Sequence, residues 1–318
     1  MFIPSVFFFG FLYLMSFLLV ISSEDWFLIW VGLEINMMTF LIMVYRRWSM
    51  KVIEVCMKYF FIQSLGSAFL IGILYLGWSM VGGLSFMILS YKIGAGPFFY
   101  WFPNMCSGLD WGSCFMLMLF QKMLPLCLIF MFVHWVMWIV MLISLMVGIM
   151  GSFNQNNVKE LLGYSSIHHL GWILIISISK NLMWFIYLIV YGMVMLGVLI
   201  NFYKNKIVNF FMMYKCKNKM WLIVGMLSMA GMPPLLGFLL KWMALINIMN
   251  LGLLYVMVLI MVSLVMLYVY MQIMYDMMLG SSDEISWFSK MKLYEYMVDI
   301  VGMMGMVMGI SFMFFMFM

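Results

Sequence analysis

An all-α membrane protein with about eleven transmembrane helices is the fold class that this sequence predicts, and three observations carry it. The 318 residues are 68% hydrophobic and 8% charged, whereas soluble globular domains carry about 25% charged residues. Mean hydropathy is +1.14. Apolar runs long enough to cross a bilayer, about 20 residues each, recur from end to end. These runs are continuous, not alternating in segments of about ten residues, so a β-barrel is excluded.

Taken in order, the first apolar run, Met1 to Ile21, has no basic leading region and no small-residue cleavage site after Leu19. It therefore reads as a membrane helix over 3–21 and not as a cleaved signal peptide. The following runs place helices at 26–45, 55–78, 83–101, 113–131 and 133–151. Further runs lie at 160–179, 181–203, 220–247, 249–275 and 299–318. No long soluble loop separates them, so residues 1–318 are expected to form a single polytopic membrane domain. The longest polar stretches are Lys204 to Lys219 and Asp276 to Tyr296.

Basic residues test this topology. If alternate loops face opposite sides, the even loops and their flanks collect Arg46, Arg47, Lys51, Lys159, Lys204, Lys206, Lys215, Lys217, Lys219, Lys290 and Lys292. The odd loops collect Lys180. That asymmetry is the positive-inside pattern. An arginine-rich amphipathic presequence is also lacking, so a mitochondrial home requires synthesis inside the organelle. Heavy use of Met (45) and Phe (30), with Thr39 as the sole threonine, fits a C-poor coding strand read with an expanded methionine code.

Five cysteines, Cys56, Cys106, Cys114, Cys127 and Cys216, are scattered with no C-x-x-C pair and no nearby histidine. Zinc and iron–sulfur sites need clustered thiolates, so these read as small buried hydrophobes and no redox centre is expected in this chain.

The anomalies are ionisable residues at membrane depth. Glu34 is the one charged residue between Phe27 and Val44, while Lys92, Lys122 and Lys241 lie far from any predicted helix end that would let them reach water. Lys58 sits near an end and can extend toward the interface. Each charge at the bilayer centre costs about 2.5–3.5 kcal/mol, so such groups are rare and mark ion or proton paths. One acid neutralises one lysine, which leaves at least two lysines without an acidic partner. Burial lowers a lysine's proton affinity and a nearby carboxylate raises it, so moving the carboxylate switches the lysine. Arginine would keep its proton throughout.

Two glycine–proline breaks lie beside these lysines. I-G-A-G-P follows Lys92, and A-G-M-P-P-L-L-G, Ala230 to Gly237, precedes Lys241. A proline removes a helical hydrogen bond and frees a carbonyl, which points to two discontinuous helices of the transporter kind. Lys122 has Gln121 and Pro125 as neighbours.

Ordered motifs cover about four-fifths of the chain. They are W-V-G-L-E-I-N (30–36), K-Y-F-F-I-Q (58–63), K-I-G-A-G-P-F-F-Y-W-F-P-N (92–104) and Q-K-M-L-P-L (121–126). N-Q (154–155), Y-S-S-I-H-H-L-G-W (164–172) and G-M-P-P-L-L-G-F-L-L-K-W (231–242) complete them. Together they resemble the NADH–ubiquinone oxidoreductase chain 2 family, the mitochondrially encoded antiporter-like subunits of respiratory complex I. The resemblance implies an antiporter-like fold and a proton relay of Glu34, Lys92, Lys122 and Lys241, with His169 nearby. His168 falls on a variable position and reads as a satisfied or lipid-edge residue, and His134 as interfacial.

The same resemblance implies the mitochondrial inner membrane, with the N-terminus and basic loops on the matrix side. It implies flavin mononucleotide, iron–sulfur clusters and ubiquinone in other subunits, with none in this chain. Neighbouring membrane-arm subunits and a phospholipid such as cardiolipin are the expected partners, without nucleic acid. Three positions depart from the pattern. Phe99 stands where the family has a histidine, Leu240 where it has a proline, and Lys159-Glu160 where it has a basic pair. Two other functions remain open from sequence, a free-standing cation–proton antiporter and a structural spacer that pumps nothing.

Overall fold

The computed structural model describes residues 3–45, 49–75, 81–132, 134–153, 155–179, 182–213, 219–249 and 252–279. Arg46, Arg47, Lys180, Lys215, Cys216, Lys217, Lys290, Lys292 and the expected last helix, 299–318, lie outside them. Two compact units follow along the chain, residues 1–144 and 145–318.

The first unit holds α1 (Ile3–Ser22), α2 (Trp26–Val44), α3 (Met50–Tyr75) and α4 (Val81–Ile93), then a 3-10 turn at Gly96–Phe98. It continues with α5 (Trp101–Gly108), α6 (Trp111–Met118) and α7 (Phe120–Met131). Helix α8 (Val136–Phe153) begins in the first unit and ends in the second. The second unit holds α9 (Val158–Ile178), α10 (Met183–Asn205), the short α11 (Phe210–Met213), α12 (Lys219–Ala230), α13 (Leu236–Ile248) and α14 (Leu253–Leu279). The architecture is all-α, as composition requires. Among the described residues seven stretches are long and apolar enough to cross a membrane, with shorter apolar helices beside them.

Two boundaries differ from the sequence expectation for physical reasons. Helix α3 starts at Met50, five residues before the expected 55. Its first turns carry exposed Lys51 and Glu54 opposite buried Val52, Val55 and Cys56, so the helix extends past the apolar run as an amphipathic end. Lys58 pairs there with Glu54 one turn earlier, both side chains more than half exposed. The expected helix 113–131 is interrupted at Leu119, where Lys122 N–H bonds the Leu119 carbonyl at 3.2 Å. Pro125 lies three residues farther on and offers Gln121's carbonyl no donor, a recognised cause of kinks.

Packing follows helical spacing. Helix α2 buries Ile29, Leu33, Met37, Phe40 and Val44 along one stripe, and α3 buries Val52, Val55, Tyr59, Gln63, Gly66, Ser67 and Leu70 along another. Helix α9 is buried on nearly every side from Leu161 to Ser177. Inside lipid a hydroxyl must find its own acceptor, and the serines do so locally. Ser16, Ser144 and Ser165 each donate to the carbonyl three residues back, at 2.6, 2.7 and 2.8 Å.

Both expected breaks are present, and one local motif builds them. Helix α4 ends with Gly94 N–H on Tyr91 O (3.2 Å) and Ala95 N–H on Ser90 O (2.9 Å). Helix α12 ends with Gly231 N–H on Ser228 O (3.2 Å) and Met232 N–H on Leu227 O (3.1 Å). These are Schellman caps, which require a left-handed residue. Gly94 and Gly231 supply it, at φ +74° and +81°. A side-chain strap crosses the first break, where Trp101 Nε1–H donates to Tyr91 O at 3.2 Å.

Candidate functional site

The ionisable residues singled out from sequence fall into two groups, one in each unit. In the first, Glu34 lies half-buried on α2 and Lys92, 5% exposed, sits in the last turn of α4. Helix α3 packs against both of these helices. Its Gln63, Gly66 and Ser67 share one buried face, being three and four residues apart.

Each of these three touches the pair. Ser67 Oγ donates to the Glu34 carboxylate. The Lys92 stem lies against Gly66, so close that a β-carbon there would stand 2.9 Å from Lys92 Cγ. Gln63 Nε2 donates to the Lys92 backbone carbonyl at 2.8 Å, and so satisfies an acceptor left over by the cap. Glu34 and Lys92 thus meet the same face of α3. Among the described residues no direct ion pair joins them. The acid is held by a hydroxyl while the lysine lies nearby.

Lys122, 4% exposed, begins the first turn of α7. Its Nζ stands 4.2 Å above the Phe102 ring, a cation–π arrangement. The Cys106 and Cys114 thiols are its electrostatic neighbours. Phe102 and Cys106 both belong to α5. Lys92 therefore sits on the half-helix before the break, and Lys122 meets the half-helix after it. Beside Lys122, Gln121 joins four helices. Tyr59 donates to its Oε1 at 2.8 Å, Asn36 does so at 3.4 Å, and its Nε2 donates to Tyr13 Oη at 3.2 Å.

In the second unit Lys241, 6% exposed, donates from Nζ to the Ala230 carbonyl at 2.6 Å. In a continuous helix that carbonyl would receive the N–H of residue 234, and Pro234 has none. The break thus creates the acceptor that the lysine occupies. Such a charge-assisted bond contributes about 1.5–3 kcal/mol.

Two adjacent histidines lie on α9. His169 Nδ1 meets Tyr187 Oη at 2.8 Å, with the Tyr191 ring 4.6 Å away. His168 is 1% exposed, so it is a core residue and not a lipid-edge one. Trp172 Nε1–H donates to His168 Nε2 at 3.2 Å, which puts the proton of a neutral imidazole on Nδ1. His134 is partly exposed between α7 and α8.

Sequence reasoning did not single out Gln63 or Ser67 as site residues. The available signal was two polar residues four apart in an apolar helix, which share a face and in lipid belong inside. A first prediction follows from Gln63. Gln63→Leu leaves the Lys92 carbonyl without its donor in a low-dielectric site, a loss of about 1–3 kcal/mol. Thermal inactivation of the assembled protein is expected several degrees lower than wild type.

Comparison with known proteins bears on the whole chain. Residues 74–268 match the family model described as NADH:quinone oxidoreductase/Mrp antiporter, transmembrane. The NADH-ubiquinone oxidoreductase chain 2 of Anopheles gambiae is 32% identical over 293 residues, 86% of each chain. That of Locusta migratoria is 31% identical over 323 residues, 93% of each. Among solved structures, a chain of respiratory complex I from Thermus thermophilus superposes with a TM-score of 0.81 at 21% identity, over 96% of this chain and 78% of that one. A chain of the Mrp complex from Dietzia sp. does so with a TM-score of 0.66 at 15% identity, over 80% and 57%.

Proposed function

Because the chain belongs to the NADH:quinone oxidoreductase/Mrp antiporter family, within the chain 2 subunits of NADH–ubiquinone oxidoreductase, we propose that it moves protons through Glu34, Lys92 and Lys122, continuing through Lys241 with His169. It is a multi-pass subunit of mitochondrial complex I, and it works together with the other subunits of that complex. The observation that carries the relay is the burial of three lysines at 4–6% exposure in a membrane protein, two of them at capped helix breaks. A chain that needed only to fill space would not place charges there, since each costs about 2.5–3.5 kcal/mol.

The relay begins at Glu34. When the carboxylate approaches Lys92 it stabilises the ammonium, and when it leaves for another partner the lysine sheds its proton toward Lys122. Lys92 and Lys122 address opposite halves of one interrupted helix, so the step between them runs past the break and its freed carbonyls. With Phe99 where the family resemblance implies a histidine, a protonation role near that break is absent or passes to Tyr100 or water. The chain brings no redox centre of its own. Flavin, iron–sulfur clusters and ubiquinone held by other subunits supply the energy. The N-terminus and basic loops face the matrix, a phospholipid such as cardiolipin is a partner, and no nucleic acid takes part.

The test is Lys92→Ala in the complex, reconstituted in vesicles. The number of protons moved per NADH oxidised is expected to fall at unchanged assembly. Full pumping by that variant would overturn the relay, and normal coupling with poor assembly would leave a structural spacer.

A further inference from the structure

We propose that Ser67 is the positioning residue that holds Glu34 away from Lys92, acting as a hydroxyl latch with two settings. This rests on the relay reading of the same site. Among the described residues, Ser67 is the hydrogen-bond partner of the Glu34 carboxylate. The Ser67 hydroxyl also faces the Ser64 carbonyl at 2.9 Å. A hydroxyl has one hydrogen, so it serves one of these acceptors at a time.

Both settings are chemically complete. When Glu34 is ionised, the hydroxyl hydrogen points to the carboxylate in a charge-assisted bond. When Glu34 is protonated, its own O–H donates to Ser67 Oγ and the serine hydrogen turns to Ser64 O. No polar group is stranded in either state, and in lipid that is the condition for both to be populated. The settings differ by a torsion and by one proton, which Glu34 takes from the Lys92 ammonium, leaving a neutral amine, and later returns, so bonds and charges balance. Glu34 can therefore release Lys92 without becoming a bare carboxylate in a low-dielectric site. Gly66, the preceding residue, gives the Lys92 stem its groove. One turn of α3 thus holds the acid on a hydroxyl and guides the base past it.

The experiment uses the assembled complex in vesicles with Ser67→Ala, Ser67→Thr, Ser67→Cys and Lys92→Ala. Ser67→Ala removes the alternative partner, so Glu34 stays with Lys92. Coupled NADH oxidation is expected to fall about threefold and the midpoint of its pH profile to move by about one unit, the scale of one hydrogen bond to a carboxylate. Ser67→Thr keeps the hydroxyl and is expected to restore both. If Ser67→Ala does not assemble, Ser67→Cys takes its place, with a thiol of similar size and weaker donor power.

Wild-type behaviour of the alanine variant, or equal loss in the alanine and threonine variants, would overturn the latch. Lys92→Ala separates the two readings. If it pumps fully, the relay fails. If it does not pump while Ser67→Ala matches wild type, only the latch fails.

Discussion

A complex carrying Lys122→Met is expected to assemble normally, to withstand heat slightly better than wild type, and to lose coupled turnover by about tenfold or more, ~1.4 kcal/mol or more in barrier. The two effects have opposite signs because they arise from different terms. An ammonium at membrane depth costs about 2.5–3.5 kcal/mol, and the Phe102 face returns about 2 kcal/mol or less. Methionine has a similar length and no charge, so it fills the same space without that cost. Proton exchange, by contrast, needs a titrating group next to α5, and methionine has none. The measurements are the thermal inactivation midpoint of the isolated complex and proton uptake per NADH oxidised. Wild-type coupling in this variant would remove Lys122 from the relay. Poor assembly with intact coupling would make it a packing device.

Gly231→Leu is expected to be strongly damaging although it removes no charge. The backbone at 231 is left-handed, and a side chain there costs about 1–3 kcal/mol. A β-carbon would also stand 2.9 Å from Lys241 Nζ and 3.0 Å from its Cδ and Cε. The lysine cannot then keep its bond to the Ala230 carbonyl, a further loss of about 1.5–3 kcal/mol. Together about 2.5–6 kcal/mol is at stake, enough to deplete the assembled complex on a native gel. Gly72→Ala is the control. That glycine is exposed in the last turn of α3 with nothing within 4 Å, so the change is expected to be neutral or mildly stabilising. If both glycine variants assemble equally, the second break carries no structural demand.

Different parts of this molecule were legible in the sequence to different degrees, and the reasons are physical. Helices α1, α2, α9 and α10 begin within about two residues of expectation, because in lipid an apolar run must be helical to satisfy its backbone. The breaks could be read because glycine and proline alter the backbone wherever they stand. What followed the first break was missed. Trp101–Gly108 forms a separate half-helix, and W-F-P-N-M-C-S-G carries no strong periodic signal. The charges were visible because an ion in hydrocarbon has no bland explanation. Ser67 and Gln63 were not, since hydroxyls and amides usually satisfy themselves or pack between helices. Their meaning depends on which helix stands opposite, and only the packing of α3 against α2 and α4 reveals that. Likewise, His168 and His169 are neighbours in sequence, yet one meets Trp172 and the other Tyr187.

The first break has a mechanical consequence. The hydrogen-bond ladder of α4 closes on itself at Ala95, so the helical ladder does not run on into α5. Across the break, the indole strap from Trp101 to the Tyr91 carbonyl joins the two segments, beside the close packing of Trp101 and Phe102 on Gly94. A joint of this kind behaves like a clutch. When the strap holds, a twist of α4 that carries Lys92 also turns the ring of Phe102 beneath Lys122. Without it, the joint would be looser. A tryptophan that never titrates thus contributes to how much of a rotation in one half reaches the other.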